Sequence, residues 1–477
     1  MSHLLSKSIA CALTIAGLNI STAQAQLSTN PDKFLGNITT SWGSDMDYNG
    51  FKFSDYWNQV TPENATKWSS VEGTRNSFNW GGADKAANYA KKHGFPFKFH
   101  TLVWGSQYPQ WIKNLSAEER YKAIEKWMDK VKAKYPDLQM IDVVNEAVEG
   151  HQGDTYLMRE ALGGNGVTGY DWIIRAFEMA AERWPDAILI YNDFNTFQWN
   201  TDQFIDLVKT LRDAGAPIDA YGCQAHDLNG LSQASFKSVM KKIQDALKMP
   251  MYITEYDIGD TNDANQQKNF EAHIPVMWEA DYCAGVTLWG WHYGQTWLKD
   301  ERTGEGGISG IIKNKKERPA LTWLREYMQT DAARQAKSPF PGMVKEASVY
   351  VKPESLIARI HFPLSVAVTA RMKTKTVDHV DLYLNDELLC QMTEAPYQTE
   401  FTPSKTGKFT LKAVVTTTDG STYERLSAIQ VKRGTAISTP SVDESSDRKA
   451  AYDLNGRKVG DGYRGIIVKE GKKIIMK

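Results

Sequence analysis

Cysteine is scarce in this chain, with 4 in 477 residues. Cys11 lies in an apolar run near the N-terminus, leaving Cys223, Cys283 and Cys390 for the folded part. Three thiols cannot all pair, and their spacings match no zinc or redox motif, so buried free thiols are expected. An excess of charge is lacking too: the net charge of −1 gives no field to attract nucleic acid or an anionic membrane as bulk partner. The apolar run Ile9–Ile20 is too short for a good membrane span, and Asn19 interrupts its end. No Gly-rich phosphate loop follows the first apolar segment, which argues against a dinucleotide-binding open sheet. Tryptophan is missing from the last third: all 15 lie between Trp42 and Trp323, a shift in composition that marks a domain boundary.

What is present divides the chain into parts. Lys7, the run Ile9–Ile20 and the small residues Ala23-Gln24-Ala25 form a secretory signal peptide pattern over residues 1–25, with cleavage expected after Ala25. This leader predicts a secreted or cell-surface protein. From Leu27 to about residue 332 short apolar runs alternate with amphipathic stretches. Strands are expected at Phe34–Thr39, Gln59–Pro62, Phe97–Trp104, Met140–Asn145, Ile188–Asn192, Ala220–Gln224, Met251–Thr254 and Gly285–Trp289. Helical patterns such as Ala117–Lys134, Asp171–Arg183, Thr201–Ala214, Ser232–Leu247 and Asn265–Ala280 separate them. Eight strand candidates with helices between them predict an α/β fold, a (β/α)8 TIM barrel.

Ser338-Pro339-Phe340-Pro341-Gly342 breaks the pattern, and residues 333–343 are expected to be a linker. Residues 344–432 carry period-2 stretches such as Val380–Leu384 and Phe409–Val415, with turn signals at Asn385-Asp386, Thr406-Gly407 and Asp419-Gly420. These predict a small all-β sandwich. A second linker rich in Ser and Asp spans 433–449, and residues 450–477 form a compact β pattern with a basic end.

The chemistry concentrates at two strand ends. Gln139–Ala147 has a β-branched, apolar middle and then Asn145-Glu146; Met251–Asp257 likewise runs into Glu255. An isolated Asn-Glu would more often open a loop or cap a helix. In a parallel barrel, however, the C-terminal strand ends carry catalytic groups, and two such glutamates would face one mouth. That is the minimum kit for retaining glycoside hydrolysis, an acid/base and a nucleophile about 5–5.5 Å apart.

Several further motifs occur in order at expected strand ends: Val60-Thr61-Pro62-Glu63-Asn64 with Lys67-Trp68, His100-Thr101-Leu102-Val103-Trp104 with Ser106-Gln107, Asn192-Asp193-Phe194-Asn195, Pro217 to His226, Ile253 to Asp257, and Trp289-Gly290 with Trp297. Together with Asp142–Glu146 they resemble glycoside hydrolase family 10, the endo-1,4-β-xylanases, across the whole barrel. The resemblance implies a retaining double-displacement enzyme without metal or cofactor, acting on xylan or xylo-oligosaccharides. Glu146 would be the acid/base, its pKa raised by the charge of Glu255, and Glu255 the nucleophile. Asn145 would bind the 2-hydroxyl of the sugar under attack, and His226 would orient Glu255. Glu63, Asn64 and Lys67 would bind donor-side hydroxyls, and Trp104, Trp289 and Trp297 would wall the sugar rings. Gln107, Gln224, Asn192 and Asp257 join the site in contact or supporting roles. The segment after residue 344 resembles immunoglobulin-like modules of secreted glycosidases, here a spacer, and the tail resembles type IX secretion sorting signals, implying contact with an export machinery. The chain is expected to be monomeric.

Two positions depart from the family pattern. Gly105 stands where most members have His, and Trp291-His292-Tyr293 replaces smaller residues. The bulky trio is expected to fill part of the space that Gly105 vacates. A β-1,4- or mixed-linkage glucanase stays open at this level, because xylose and glucose units differ by one hydroxymethyl group. So does a non-catalytic surface glycan-binding protein.

Overall fold

The computed structural model describes residues 26–39 and 46–433, and the backbone of short strands between 451 and 476. The leader expected at 1–25 and most of the second linker lie outside the described residues. The first domain is a closed parallel barrel. Its strands are β1 (Phe34–Ile38), β2 (Val60–Thr61), β3 (Lys98–Trp104), β4 (Met140–Asn145), β5 (Ile188–Asp193), β6 (Ala220–Cys223), β7 (Met251–Tyr256) and β8 (Cys283–Leu288). They are hydrogen-bonded in the order β2-β1-β8-β7-β6-β5-β4-β3. The ring closes through a parallel bridge between Val60 and Phe97, where the Val60 amide donates to the Pro96 carbonyl at 3.0 Å.

Nearly every strand residue is buried, because helices cover the outside and side chains fill the inside. This double burial is why the strands read as continuous apolar runs. The outer helices form from amphipathic stretches. Helix α1 (Ala117–Lys134) starts at a capping box, Ser116 with Glu119, and buries Ile124, Trp127, Met128 and Val131. Helices Asp171–Arg183, Thr201–Asp213, Gln233–Leu247 and Asp263–Glu279 repeat the arrangement around the ring.

The segment expected as a linker is packed. A helix at Asp331–Gln335 runs into its start, and Phe340 and Met343 then cover the N-terminal end of the barrel. There Phe340 stacks on Tyr252 with ring centroids 6.3 Å apart, and Met343 is buried against the apolar floor formed by Phe34, Met140 and Ile188. Proline and glycine punctuate this stretch because the chain must turn sharply to cover the floor, not because it is free.

Beyond it, two sheets face each other. Strands β9 (Ala347–Pro353), β11 (Leu364–Met372) and β14 (Gln398–Phe401) form one, in the order β9-β11-β14. Strands β10 (Ile357–Arg359), β12 (Val377–Leu384), β13 (Glu387–Met392), β15 (Gly407–Thr417) and β16 (Thr422–Lys432) form the other, in the order β10-β16-β15-β12-β13. Val351, Val366, Leu382, Leu411, Ala413 and Val431 fill the space between them. The alternating burial along β11 is that of a sheet with one wet face.

This β module is joined to the barrel floor by polar contacts. The buried Lys345 ammonium donates to Asp219 Oδ2 at 2.7 Å, to the Ala187 carbonyl at 3.2 Å and to the Tyr350 hydroxyl at 2.6 Å. Ser348 donates to the Pro185 carbonyl at 2.7 Å, and Arg371 meets Asp186 at 3.1 Å. Residues 451–476 contribute four short strands paired into a separate sheet. None of Cys223, Cys283 and Cys390 is paired; the first two are buried and Cys390 is half-buried.

Candidate active site

Register brings the polar strand ends together. Trp104 on β3 lies beside Asn145 on β4, which lies beside Asn192 on β5. Immediately after Asn145 the chain bends: Glu146 takes a left-handed conformation with φ of 57°, and its amide donates to the Asn192 carbonyl at 2.9 Å. A continuing strand would send Asn145 and Glu146 to opposite faces. The bend turns both into the mouth, at the cost of a conformation that a non-glycine residue adopts only when its surroundings enforce it.

Glu255 lies one residue before the end of β7, further inside the strand than the sequence pattern marks. Asn192 ties it to the opposite wall. Its side-chain amide donates to Glu255 Oε1 at 2.8 Å and to Asn145 Oδ1 at 2.9 Å, and its carbonyl accepts from the Thr254 hydroxyl at 2.6 Å. To do so it crosses Gly222, where a Cβ would come within 2.5 Å of Asn192 Oδ1. The other Glu255 oxygen accepts from His226 Nε2 at 3.3 Å, while His226 Nδ1 donates to Asp257 at 2.8 Å.

These contacts separate the two glutamates electrically. Burial pushes Glu146 above the ordinary carboxylate value; the hydrogen bond from Gln224 opposes the rise, and the charge of Glu255 adds to it. The expectation that Glu255 is the main cause is therefore corrected: burial comes first, since Glu146 is only 8% exposed. Burial would also raise Glu255, but the His226 hydrogen bond and the charges of His100, His226 and Lys98 outweigh it and hold Glu255 at about 2. Burial disfavours charge on His226, yet the Asp257 carboxylate, aided by Glu255, raises it to about 10. The two carboxyls are pushed in opposite directions, Glu146 toward holding its proton and Glu255 toward the ionised form, the division of labour that acid and nucleophile require.

Three donors surround Glu146: Trp104 Nε1 at 2.8 Å and Gln152 Nε2 at 2.5 Å on Oε2, and Gln224 Nε2 at 2.8 Å on Oε1. Lys67 donates to Asn64 at 3.0 Å and Gln107 at 2.6 Å, with its ammonium 4.8 Å from the Trp104 ring centroid. Burial lowers the Lys67 pKa and raises that of Glu63, and both sense the charge of Glu255. The side-chain amide nitrogen of Asn145 is buried without a partner, a donor available to a sugar hydroxyl. The aromatics differ among themselves. Trp289 is 6% exposed with its edge on His100, whereas Trp297 is 50% exposed, packs on His226 and donates to Asp257 at 2.7 Å. The fourteen residues singled out from the sequence are thus linked to one another by hydrogen bonds, ring contacts or, for Glu63, by its charge interaction with Lys67 and Glu255.

Gln152, His151 and the buried group Lys98–Asp142–His100 were not singled out. Lys98 and His100 each lie 2.9 Å from Asp142 beneath the site, and their charges reach Glu255. His100 falls within a quoted motif; Gln152 and His151 occupy a loop without periodicity.

The expectation for Gly105 is overturned. Its vacated space is occupied by Thr155, whose backbone nitrogen would lie 2.8 Å from a Cβ at 105. Trp291 instead packs among Phe53, Tyr56 and Trp57, and His292 against Tyr48 and Phe51.

The barrel segment is similar to known proteins. The family model for glycosyl hydrolase family 10 matches residues 30–328. Endo-1,4-beta-xylanase B of Cellvibrio japonicus is 47% identical over 293 residues, covering 61% of this chain, which spans 45% of that protein's length. Endo-1,4-beta-xylanase 1 of Humicola insolens is 31% identical over 303 residues, with 60% of this chain and 68% of that protein covered. The structure of a GH10 endoxylanase from a sugarcane soil metagenome superposes with a TM-score of 0.55 at 25% identity, covering 62% of this chain and 97% of the other. Xylanase 10B of Thermotoga petrophila, solved with xylobiose, shares the fold with a TM-score of 0.55 at 24% identity, covering 63% and 95%. With the matched segment spanning the entire barrel, the chain belongs to glycosyl hydrolase family 10.

Proposed function

We propose that the barrel is a retaining endo-1,4-β-xylanase. The observation that carries this reading is the opposed state of two strand-end glutamates in one mouth, Glu146 raised by burial and Glu255 held at about 2. Glu255 attacks the anomeric carbon of a bound xylosyl unit, forming a C–O bond as the glycosidic C–O bond breaks. Glu146 gives its proton to the departing oxygen. A water then attacks the anomeric carbon, returning its proton to Glu146 and freeing Glu255, so two inversions leave net retention. Asn145 offers its unpartnered amide to the 2-hydroxyl, and Trp297 presents an open ring face to a sugar. The xylanases among its relatives support xylan as the substrate.

The same reading covers the rest of the chain. The leader pattern at 1–25 supports secretion. The two-sheet packing of residues 347–432 supports an immunoglobulin-like module, and the strand-rich basic tail supports a type IX sorting signal.

Glu255→Ala tests the chemistry: turnover of xylan should fall at least about 10⁴-fold. Azide should restore it, giving a glycosyl azide of inverted configuration. Rescue that yields the retained azide would reassign the nucleophile. Initial rates on xylan, carboxymethylcellulose and mixed-linkage glucan, compared side by side, test the substrate.

A further inference from the structure

Glu146 is held by more than its own strand. The loop that follows it is anchored at both ends. At its start the Val148 amide donates to Asp193 Oδ2 at 3.0 Å, and His151 pairs with Asp193 Oδ1 at 2.6 Å while stacking on Phe194. At its end Asp154 accepts from the Tyr108 hydroxyl and from Lys113 at 3.2 Å. Between these anchors Gln152 reaches back to Glu146 Oε2. The start of the next helix, Thr155–Ala161, sits over Gly105, and only the missing Cβ lets it come so close: Thr155 Oγ1, N and Cα would lie 2.4, 2.8 and 2.9 Å from one.

A carboxyl oxygen offers about two acceptor sites. On Glu146, Oε2 already receives both the Trp104 indole and the Gln152 amide, whereas Oε1 receives Gln224 alone. We propose that Gln152 is a positioning residue for Glu146: with Trp104 it fills Oε2, so that the transferable proton is carried on Oε1, and Gly105 is the position that admits it. The inference rests on Glu146 being the acid.

Donors on a carboxyl favour its ionised form, so removing one makes the acid hold its proton to higher pH. Gln152→Leu should move the alkaline limb of kcat/KM on xylan upward by about 0.5–1 pH unit and lower its plateau about two- to fivefold. Gln152→Glu, which replaces the donor by an acceptor, should move the limb further the same way. An aryl xylobioside with a good leaving group needs little protonation, and its kcat/KM should change less than about twofold. Gly105→Ala should displace the Thr155 end of the loop and shift the limb like Gln152→Leu. Melting temperatures identify any variant that fails to fold. A fixed limb, with or without an equal loss on both substrates, would reduce Gln152 to loop packing and overturn the proposal. A wild-type limb in Gly105→Ala would overturn its second half. Glu146→Gln separates the two levels. If it hurts both substrates equally, the reading of Glu146 as the acid fails. If it spares the aryl substrate while Gln152→Leu leaves the limb unmoved, only the present inference fails.

Discussion

His226 stands between two carboxylates, and its hydrogen bond and charge help hold Glu255 low. With the imidazolium in place, the enclosed Glu255, the proposed nucleophile, is held at about 2. His226→Ala removes both a hydrogen bond and a positive charge, and leaves Asp257 as an unscreened neighbour. Burial then weighs more against the remaining charges of His100 and Lys98, and the acidic limb of kcat/KM should rise by about one unit or more. The alkaline limb, which belongs to Glu146, should move little. An unmoved acidic limb in a folded variant would show that His226 does not set the nucleophile's charge. The same pair shapes stability. Glu255 lies below its ordinary 4.5, so its contribution is present above that pH and is lost as pH falls toward about 2. His226 lies above its ordinary 6.5, so its contribution is full below that pH and is lost as pH rises through about 10. Asn145, Glu146 and Glu255 were legible in the sequence because a polar residue at the end of a buried run needs a reason to be there. Gln152 was not, because a lone glutamine in a polar loop carries no such contrast. Nor was the leading cause of the Glu146 shift, since burial at a strand end depends on neighbours far away in the chain.

Among elements, the barrel strands were the most readable and their ends the least. Continuous apolar runs announce strands covered on both faces, and the eight expected runs coincide with β1 to β8 to within a few residues. What periodicity cannot convey is how neighbouring strand tops interlock. Asn192 on β5 reaches Glu255 on β7 only by passing over β6 at Gly222. A methyl group there would collide with the Asn192 carbonyl oxygen and with Thr254 Cγ2, which is packed tightly beneath it. Gly222→Ala should therefore displace Asn192 and release both Glu255 Oε1 and Asn145 Oδ1. We expect kcat on xylan to fall by about 10- to 100-fold, equivalent to about 1.4–2.7 kcal/mol of transition-state stabilisation. Single-turnover and steady-state kinetics on a folded variant check this, and a kcat within twofold of the parent would mean that Asn192 has another route to Glu255.

At the scale of the whole molecule, the β module behaves as a buttress under the barrel floor. Its composition and alternation made it legible as a second domain, but a Pro- and Gly-punctuated stretch reads the same whether it tethers or plugs. Here Met343 and Phe340 close the floor, and Lys345 is buried against Asp219. Burial opposes charge on Lys345, yet the Asp219 carboxylate outweighs it and raises the lysine above its ordinary value. Removing one partner of such a buried pair leaves the other charge stranded, at a cost of about 3–5 kcal/mol. Lys345→Ala should lower stability by that order in chemical denaturation, softened where Arg425, 3.6 Å from Asp219, takes up part of the charge. The candidate active site lies at the opposite end of the strands, so, if the proposed activity holds, kcat/KM on xylan at 25 °C should stay within about twofold. Deleting residues 344–477 should reproduce this pattern more strongly, sparing activity at low temperature while lowering the temperature at which the barrel inactivates. Inactivation half-lives of the full chain, Lys345→Ala and the truncated chain, measured over a temperature series, distinguish the alternatives. If all three coincide, the module is only a spacer; if they shorten in that order, the barrel depends on the floor that the module holds in place.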